Sequence, residues 1–204
     1  MKEIFVLAEH RQGQWRDITF EMLCKGRQLA ESFGSEVHAV VLGKGVAKLT
    51  EALRPMAHTV LLVEDARLEV FNSETYQTVL AQLITERKPL LTLIGHSTLG
   101  MDLAPNLAIQ LKMPLATDCI GVDGKEGSFV LTRQIYGGKI NSTVSFNKPG
   151  PYLVTLRAGA FPVVQKESLQ GDIIPLPSPL TDGNLAKRFL AYVEAALGDV
   201  DISQ

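Results

Sequence analysis

Short apolar runs alternate with helical patterns over the first half of the chain. The runs have the length of a buried strand, and the segments between them place apolar residues three and four positions apart, as in a helix with one buried face. This alternation predicts a three-layer α/β/α domain with a mostly parallel sheet. The predicted strands are residues 4–8, 37–42, 59–63 and 90–94. The predicted helices are residues 17–33, a short helix to about residue 53, residues 73–86, and a helix from Met101 that stops at Pro114.

Residues at the predicted helix ends have the chemistry of caps. We expect Asp17 or Thr19 to cap the first helix and Ser73 the third, because a short oxygen side chain accepts hydrogen bonds from the first amides of a helix. Gly34 is expected to end the first helix in the left-handed conformation. Cys24 falls on the inward face of that helix and is interpreted as a small core residue.

The pattern changes after Cys119. Residues 123–127 have hairpin chemistry, and short strands are predicted over 129–136, 140–146 and 152–156. We expect these strands to be antiparallel additions at one edge of the sheet.

The chain from Gln165 onward has a different character. Pro175, Pro177 and Pro179 predict an extended or loop-like piece, and a helix is predicted from Asp182 to Gly198. The sequence thus divides into an α/β domain at 1–164 and, at 165–204, a proline-rich segment, a helix and a linker. The residues expected on the inner face of that helix are Leu185, Phe189, Leu190, Val193 and Leu197.

Composition removes several classes of function. The balance of 20 basic against 22 acidic residues gives no surface for nucleic acid, and no apolar run approaches the roughly 18 residues of a membrane span. The N-terminal apolar run is too short for a signal peptide, and Cys24 and Cys119 form no CxxC pair, so a reducing cytoplasm is expected. The four histidines have no ligand-like spacing, so no metal site is predicted.

Glycines and polar residues follow three of the predicted strands. In a parallel sheet the carboxyl ends of the strands share one edge, where ligands bind. The turn at residues 95–100, GHSTLG, also precedes a helix, whose first amides suit a phosphate. The candidate cofactor-binding residues are therefore Glu9, His10, Gly43, Gly45, Gly95, Ser97, Thr98 and Gly100.

Each of these candidates has a simpler structural interpretation. Composition alone favours a solvated loop start for Glu9 and His10. Ser97 or Thr98 is expected to cap the following helix while the glycines turn the chain. Met101 stands where a P-loop needs lysine, so the turn is not a nucleoside-triphosphatase loop.

Arg133 and Arg157 fall within the predicted strands that follow Cys119. On an exposed face they are ordinary solubilising charges. If buried, each needs a carboxylate or phosphate partner.

Five motifs, in order, resemble the N-terminal domain of the alpha subunit of electron-transfer flavoproteins. The first is LAEHRQG at residues 7–13, which is similar to an AEH-type motif at the start of those subunits. Gln134 departs from the family pattern, in which many members have proline, and leaves the shape of that strand open. The other motifs are HSTLGMDLAP at 96–105, TDC at 117–119, RQIYGGKINSTV at 133–144 and TLRAGAF at 155–161, and VDISQ at 200–204 resembles the family's linker.

The resemblance implies a Rossmann-like, adenine nucleotide alpha hydrolase-like fold and a heterodimeric electron carrier. In the family, an alpha and a beta subunit hold one FAD, which takes electrons from dehydrogenases and passes them to an acceptor, and AMP is possible in the beta partner. Most flavin contacts come from a C-terminal domain with a GRG-type motif, and this sequence ends at Gln204, where that domain is expected to start. The resemblance therefore implies that this chain alone binds FAD weakly or not at all.

We interpret the chain as the scaffold of such a carrier, without an active site of its own. An alternative is a free-standing adenine-nucleotide-binding or hydrolytic α/β domain, although the sequence has no phosphate-loop lysine, activated nucleophile or metal cluster. A pure assembly module without a ligand is a third interpretation. The residues expected at the interface with the beta subunit are Arg133, Tyr136, Gly137, Gly138, Lys139 and Arg157.

Overall fold

The computed structural model describes residues 2–125, 128–147, 150–164 and 168–181, together with residues 183, 186–187 and 189–191. Within these residues the chain forms a nine-stranded sheet with helices on both faces and a separate two-stranded hairpin. The predicted three-layer α/β/α fold with a mostly parallel sheet is confirmed.

The four strands and the helices that were predicted for the first half begin and end within three residues of their predicted bounds, and the short strands β2 and β3 were not predicted. The strands are β1 (Lys2–Leu7), β2 (His10–Arg11), β3 (Gln14–Trp15), β4 (Ser35–Gly43), β5 (Thr59–Glu64), β6 (Leu91–Gly95), β7 (Leu115–Lys125), β8 (Ser128–Ile135), β9 (Ile140–Ser145), β10 (Tyr152–Leu156) and β11 (Asp172–Leu176). The helices are α1 (Asp17–Phe33), α2 (Ala47–Thr50), α3 (Ser73–Arg87) and α4 (Thr98–Leu111), with 3-10 turns at Glu51–Leu53 and Ala66–Leu68.

Each face of the sheet has its own core, because successive strand residues point to opposite sides. Ile4 and Val6 of β1 pack with Met22 of α1 on one face. Phe5 and Leu7 of the same strand pack with α3 and α4 on the other face. All five side chains are buried. Apolar side chains of β1 therefore fill both faces, and the polar residues Glu9 and His10 follow the carboxyl end of the strand.

The sheet reverses its direction of growth beside β1. The strand order is β11-β5-β4-β1-β6-β10-β7-β8-β9, with β8 and β9 antiparallel to their neighbours and the other neighbouring pairs parallel. The chain builds outward from β1 through β4 to β5 and then returns to the other side of β1 at β6. The topological switch point, where such sheets bind ligands, lies between β1 and β6.

The expectation that residues 152–156 form an antiparallel edge strand is wrong. β10 lies inside the sheet, parallel to both β6 and β7. All five of its residues are buried, as in a strand covered on both faces. The predicted hairpin before it is present, because β7 and β8 pair antiparallel from Cys119 to Lys125.

The segment predicted to be extended or loop-like contains β11, which pairs parallel with β5 at the far edge of the sheet. The helix predicted from Asp182 lies mostly outside the described residues. The described residues of that stretch, Gly183, 186–187 and 189–191, are not helical.

The helix ends give a mixed outcome. Gly34 ends α1 in the left-handed conformation, at a φ of 58°, as predicted. Neither Asp17 nor Thr19 caps α1, whose N-cap is Arg16. Ser73 is likewise the first residue of α3 and not its cap, because the side chain of Asn72 accepts the hydrogen bond from the Glu74 amide at 2.9 Å. Asn72 also has a short side chain with an oxygen acceptor. The kind of residue that caps α3 was therefore predicted correctly, but the predicted position was one residue too late.

Candidate functional site

The structure brings most of the predicted ligand-binding residues to one edge of the sheet. Glu9 follows β1, Gly43 ends β4, and Gly95 ends β6, on the two strands that flank β1. Glu9 lies against Gly95, while His10 lies against Gly43. The sequence therefore predicted that these residues lie at one edge, and their side-chain contacts decide what this edge can bind.

Glu9 is buried at the switch point, with 4% of its surface exposed, so the expected solvated loop start is wrong for this residue. Its amide donates to Thr19 Oγ1 at 2.8 Å, and the Thr19 hydroxyl donates back to the Glu9 carbonyl at 2.9 Å. Thr19, expected to cap α1, instead ties the end of β1 to the first turn of α1. This double hydrogen bond turns the Glu9 side chain inward.

The Glu9 carboxyl group fills the space beside Gly95. A Cβ at position 95 would collide with Glu9 Oε1, and Ile18 lies close by on the same side. Burial raises the pKa of Glu9 above its usual range, and the Ser97 hydroxyl, Arg16 and the Gly95 backbone offset part of this rise. Glu9 Oε1 is buried without a hydrogen-bond partner among the described residues. The crevice between β1 and β6 thus contains a carboxyl group of the chain itself.

The GHSTLG turn is a compact helix start. Ser97 caps α4 by accepting a hydrogen bond from the Gly100 amide at 3.2 Å, which confirms the capping interpretation for Ser97, and Thr98 is the first residue of the helix. Gly100 packs against the Gly95 carbonyl oxygen so closely that a Cβ there would collide with it. The two glycines are therefore explained by the close approach of strand and helix.

The residues after β4 also bind groups of the chain itself. His10 Nε2 donates to the Leu42 carbonyl at 2.8 Å, and its ring packs edge-on against Trp15. Glu64, one of two acids at the end of β5, accepts the amide of Val46 at 2.8 Å at the start of α2. Gly45 has a φ of 66° and turns the chain. Side chains from β2 and β5 therefore hold the end of β4 and the loop that follows it.

A second polar cluster, centred on Asp118, was not selected from the sequence. Asp118 lies at a bulge in β7 and has a left-handed φ of 57°. Arg157 donates to both carboxylate oxygens of Asp118, at 2.8 and 2.6 Å. The Asp118 amide donates to Thr155 Oγ1 at 2.9 Å, and His96 Nδ1 lies 3.0 Å from the same oxygen. Arg157 holds the pKa of Asp118 below its usual range, and Asp118 in turn raises the pKa of Arg157.

Asp118 and Arg157 belong to the motifs TDC and TLRAGAF, which the sequence analysis noted. Their contact depends on a bulge in β7, and hydrophobic periodicity does not indicate such a bulge. Arg157 therefore satisfies the expectation that a partly buried arginine has a carboxylate partner. Its guanidinium also contacts Gln134 on β8. Arg133 donates from Nη2 to Thr117 Oγ1 at 3.2 Å.

The remaining interface candidates form the tip of the β8–β9 hairpin. Tyr136 is 75% exposed, and Gly137, Gly138 and Lys139 are also exposed. Tyr136 and both glycines have positive φ, so the turn depends on residues that tolerate the left-handed region. The interface candidates thus fall into two groups. One is the exposed hairpin tip, and the other is Arg157, which follows the carboxyl end of β10 and pairs with the Asp118 carboxylate.

The cysteines lie in different environments. Cys119 is buried, and burial raises the pKa of its thiol to about 11, which is typical of an inert core residue. Cys24 is half-buried, not in the core as expected, and its thiol donates to the Val164 carbonyl at 3.5 Å. It lines an apolar groove of about 450 Å³ between α1 and residues 161–164.

The described part of the chain has neither a metal-binding cluster nor a helix that could span a membrane. No cluster of three or more His, Cys, Asp or Glu side chains there is arranged to hold a metal ion. None of the described helices has the length and apolar character needed to cross a membrane.

Comparison with known proteins agrees with this architecture. Residues 4–179 match the electron transfer flavoprotein domain family. An electron transfer flavoprotein subunit alpha from Megasphaera elsdenii is 34% identical over 95% of this chain and 58% of its own length. Protein FixB from Clostridium saccharobutylicum is 29% identical over all of this chain and 61% of its own length. A subunit alpha from Bacillus subtilis is 32% identical over all of this chain and 62% of its own length.

The chain therefore spans about three fifths of these relatives. The residues matched by the family extend from within β1 to beyond β11 and include α1 to α4. The chain belongs to the electron transfer flavoprotein domain family and corresponds to the N-terminal domain of its alpha subunits.

Proposed function

We propose that this chain is the subunit-packing part of the alpha subunit of a heterodimeric electron-transfer flavoprotein. In the complete protein, FAD carries electrons from dehydrogenases to an acceptor, and this chain packs against the beta subunit without forming the flavin site. The names of the relatives support the alpha-subunit assignment. The division into a domain at 1–164 and a following segment toward an FAD domain is part of the same proposal.

The observation that carries the scaffold role is the Glu9 carboxyl group beside Gly95. In folds of this class the phosphates of a dinucleotide lie at the switch point, against the amides of a helix N-terminus. Here Glu9 fills this space next to Ser97, the cap of α4. A carboxyl group in this position competes sterically with a phosphate, and its ionised form also repels one. The residues at this edge therefore do not fit the phosphates of FAD.

The same observation weighs against a free-standing nucleotide-binding or hydrolytic domain. That function would use Glu9, Gly43 and Gly95 together, and side chains of the chain itself, Glu9 beside Gly95 and His10 beside Gly43, already lie at these glycines. Thermal stabilisation by millimolar AMP or ATP would support this alternative, because a ligand that binds only the folded state raises its stability. We expect no shift.

We place the interface with the beta subunit at the β8–β9 hairpin and the adjoining Asp118–Arg157 pair. The exposed side chain of Tyr136 and the exposed Lys139 support this placement. Arg157 connects the pair to the hairpin through Gln134. Gly137 and Gly138 would let a partner approach the backbone closely.

Co-expression with the beta subunit of the same organism tests the proposal. We expect a tagged chain to retain the beta subunit through gel filtration at a one-to-one ratio. Failure of the wild-type chain to retain it under conditions where both proteins are folded would contradict the scaffold role. Arg157→Ala is the first interface variant, and unchanged assembly would remove Arg157 from the interface.

A further inference from the structure

Arg133 lies in a largely apolar setting on β8. Leu131 and Ile135, two residues before and after it, are on the same face of the strand, because successive strand residues alternate between faces. Leu131 is fully buried and Arg133 is half-buried. In the register of the sheet, Arg133 lies between Cys119 of β7 and Ser142 of β9. The guanidinium group of Arg133 is therefore partly removed from water.

The neighbours of Arg133 supply no negative charge of their own. Arg133 Nη2 donates to Thr117 Oγ1 at 3.2 Å, and no carboxylate of the described residues forms an ion pair with this guanidinium. The Cys119 thiol is protonated at neutral pH, because burial raises its pKa to about 11. The Arg133 Nε–H is buried and has no hydrogen-bond acceptor within the described part of the chain. A half-buried cation with only a hydroxyl as its partner is costly, since buried charges in proteins are normally paired.

The carboxylate next to Thr117 is already bound by a different arginine. Arg157 donates to both oxygens of Asp118, at 2.8 and 2.6 Å. This contact is the main reason why the pKa of Asp118 is lowered, and the charges of His96 and Arg133 make smaller contributions. Two guanidinium groups thus lie around one carboxylate, and the cluster has an excess of positive charge.

The outer end of the Arg133 guanidinium is open to a ligand. Its Nη1 has no hydrogen-bond partner among the described residues and, unlike Nε, it is not enclosed. Nη2 carries two hydrogens, so its bond to Thr117 leaves one for a ligand. The two nitrogens together form a planar fork, which matches the oxygens of a carboxylate or a phosphate.

We propose that Arg133 anchors a binding site for an oxyanion, a carboxylate or a phosphate group, which accepts hydrogen bonds from Nη1 and Nη2. The positive excess of the cluster attracts the anion, and the apolar side chains beside Arg133 strengthen the ion pair by lowering the local dielectric constant. The site lies at β7 and β8, apart from the Glu9 crevice between β1 and β6. It goes beyond the proposed function and does not depend on it, because its residues all belong to this chain.

NMR spectroscopy of the wild-type chain tests the site directly. The Arg133 Nε–H is a suitable reporter, because it is buried and belongs to the same guanidinium group. Inorganic phosphate is titrated against sodium chloride at constant ionic strength, so that the screening of charges does not change. We expect the chemical shift of the Nε–H to change and to saturate at millimolar phosphate. An unchanged resonance, or a change that sodium chloride produces equally, would overturn the proposal.

Matched variants test the same site by stability. We expect ~20 mM phosphate to raise the thermal midpoint of the wild type by at least about 2 °C above sodium chloride of equal ionic strength, because a ligand that binds only the folded state stabilises it. Arg133→Gln should abolish this rise. Lys48→Gln, which removes the same charge from the exposed side of α2, should leave it unchanged. An equal rise in Arg133→Gln would overturn the proposal, and the NMR titration of the wild type decides the question if this variant does not fold.

Two further arms identify the source of the oxyanion. Sodium acetate in place of phosphate shows whether the site takes carboxylates as well as phosphates, and a response to either anion supports the site. In a complex with the beta subunit, a retained response to phosphate assigns the site to a dissolved anion. An Nε–H resonance that is already shifted as by phosphate, and is insensitive to added phosphate, assigns the site to an acidic side chain of the beta subunit. A resonance in the complex that is neither shifted nor responsive would overturn an anion-binding role in the assembled protein.

These outcomes are distinct from those that test the proposed function. A chain that does not assemble with the beta subunit contradicts the proposed function and leaves the two titrations of the chain alone unaffected. A chain that assembles but whose Arg133 does not respond to phosphate or acetate retains the proposed function and overturns the oxyanion site.

Discussion

The carboxyl group of Glu9 occupies the space that a side chain at Gly95 would need. The two residues come from β1 and β6, the strands on either side of the switch point. This contact explains a glycine that the sequence pattern would also assign to a phosphate loop. The same contact is the reason why we propose that the flavin does not bind at the carboxyl ends of β1 and β6.

The first prediction concerns Gly95 itself. Gly95→Ala forces the new methyl group against Glu9 and Ile18, so we expect it to lower the free energy of unfolding by about 1–3 kcal/mol, the usual cost of overpacking a filled site. Urea denaturation measures the loss. Gly183→Ala is the control, because among the described residues no atom lies within 4 Å of a Cβ at that position. Equal effects at the two positions would contradict the packing of Glu9 against Gly95.

The second prediction uses the buried carboxyl group of Glu9. Its pKa is raised above 4.5 in the folded protein, mainly by burial, so the folded chain holds this proton more tightly than the unfolded chain. The associated stability is complete below the unfolded pKa and is lost as the pH rises through the folded pKa. We therefore expect the wild type to lose stability relative to Glu9→Gln as the pH rises above about 4.5. Denaturation of both proteins at a series of pH values from below 4.5 upward is the measurement, and a difference that does not change with pH would exclude a buried, titrating Glu9.

The third prediction concerns Asp118. Asp118→Asn removes the ion pair with Arg157 but tolerates the left-handed backbone, so we expect a loss of about 1 kcal/mol at neutral pH, a small value because both side chains are partly exposed. Asp118→Ala loses the same ion pair and adds backbone strain, so it should cost more. The pKa of Asp118 lies below 3.8, so the ion-pair contribution is present above that pH and is lost as the pH falls through the folded pKa. Chemical denaturation at several pH values should show the wild type and Asp118→Asn converging in acid, and a constant gap would contradict the ion pair.

The fourth prediction concerns the two thiols. Cys119 is buried with a pKa raised to about 11, whereas Cys24 is half-buried beside an open groove. We expect one thiol per native chain to react with a disulfide reagent, and both to react in denaturant. Cys24→Ser should leave no fast-reacting thiol in the native protein. Rapid modification of Cys119 in the folded chain would mean that the interior of the sheet opens readily.

The layered architecture could be predicted from the sequence because it depends on local patterns. The four apolar runs and the long helices of the first half follow directly from periodicity, and Gly34 ends α1 for the reason expected of a C-terminal glycine. β10 was placed at an edge because it follows two antiparallel strands along the chain. Its position inside the sheet depends on pairing with β6 and β7, which local pattern does not encode.

In the candidate site, too, features that depend on local sequence pattern were predicted, and features that depend on contacts between distant residues were not. The sequence placed Glu9 and Gly95 at one sheet edge, because that follows from the alternation of strands and helices. It did not reveal that Glu9 points inward, because this depends on the hydrogen bonds between Glu9 and Thr19 across the start of α1. Asp118 was missed for a similar reason, since its contact with Arg157 depends on a bulge that brings two distant motifs together.

The central claim is that this chain supports a flavoprotein without forming the flavin site, and a visible absorption spectrum tests it most directly. The purified chain is incubated with FAD, separated from free flavin by gel filtration, and examined for flavin absorbance. We expect a colourless protein, because Glu9 fills the crevice at which the phosphates would bind. A yellow protein with near-stoichiometric FAD would show that these residues form a flavin site unaided and would contradict the account.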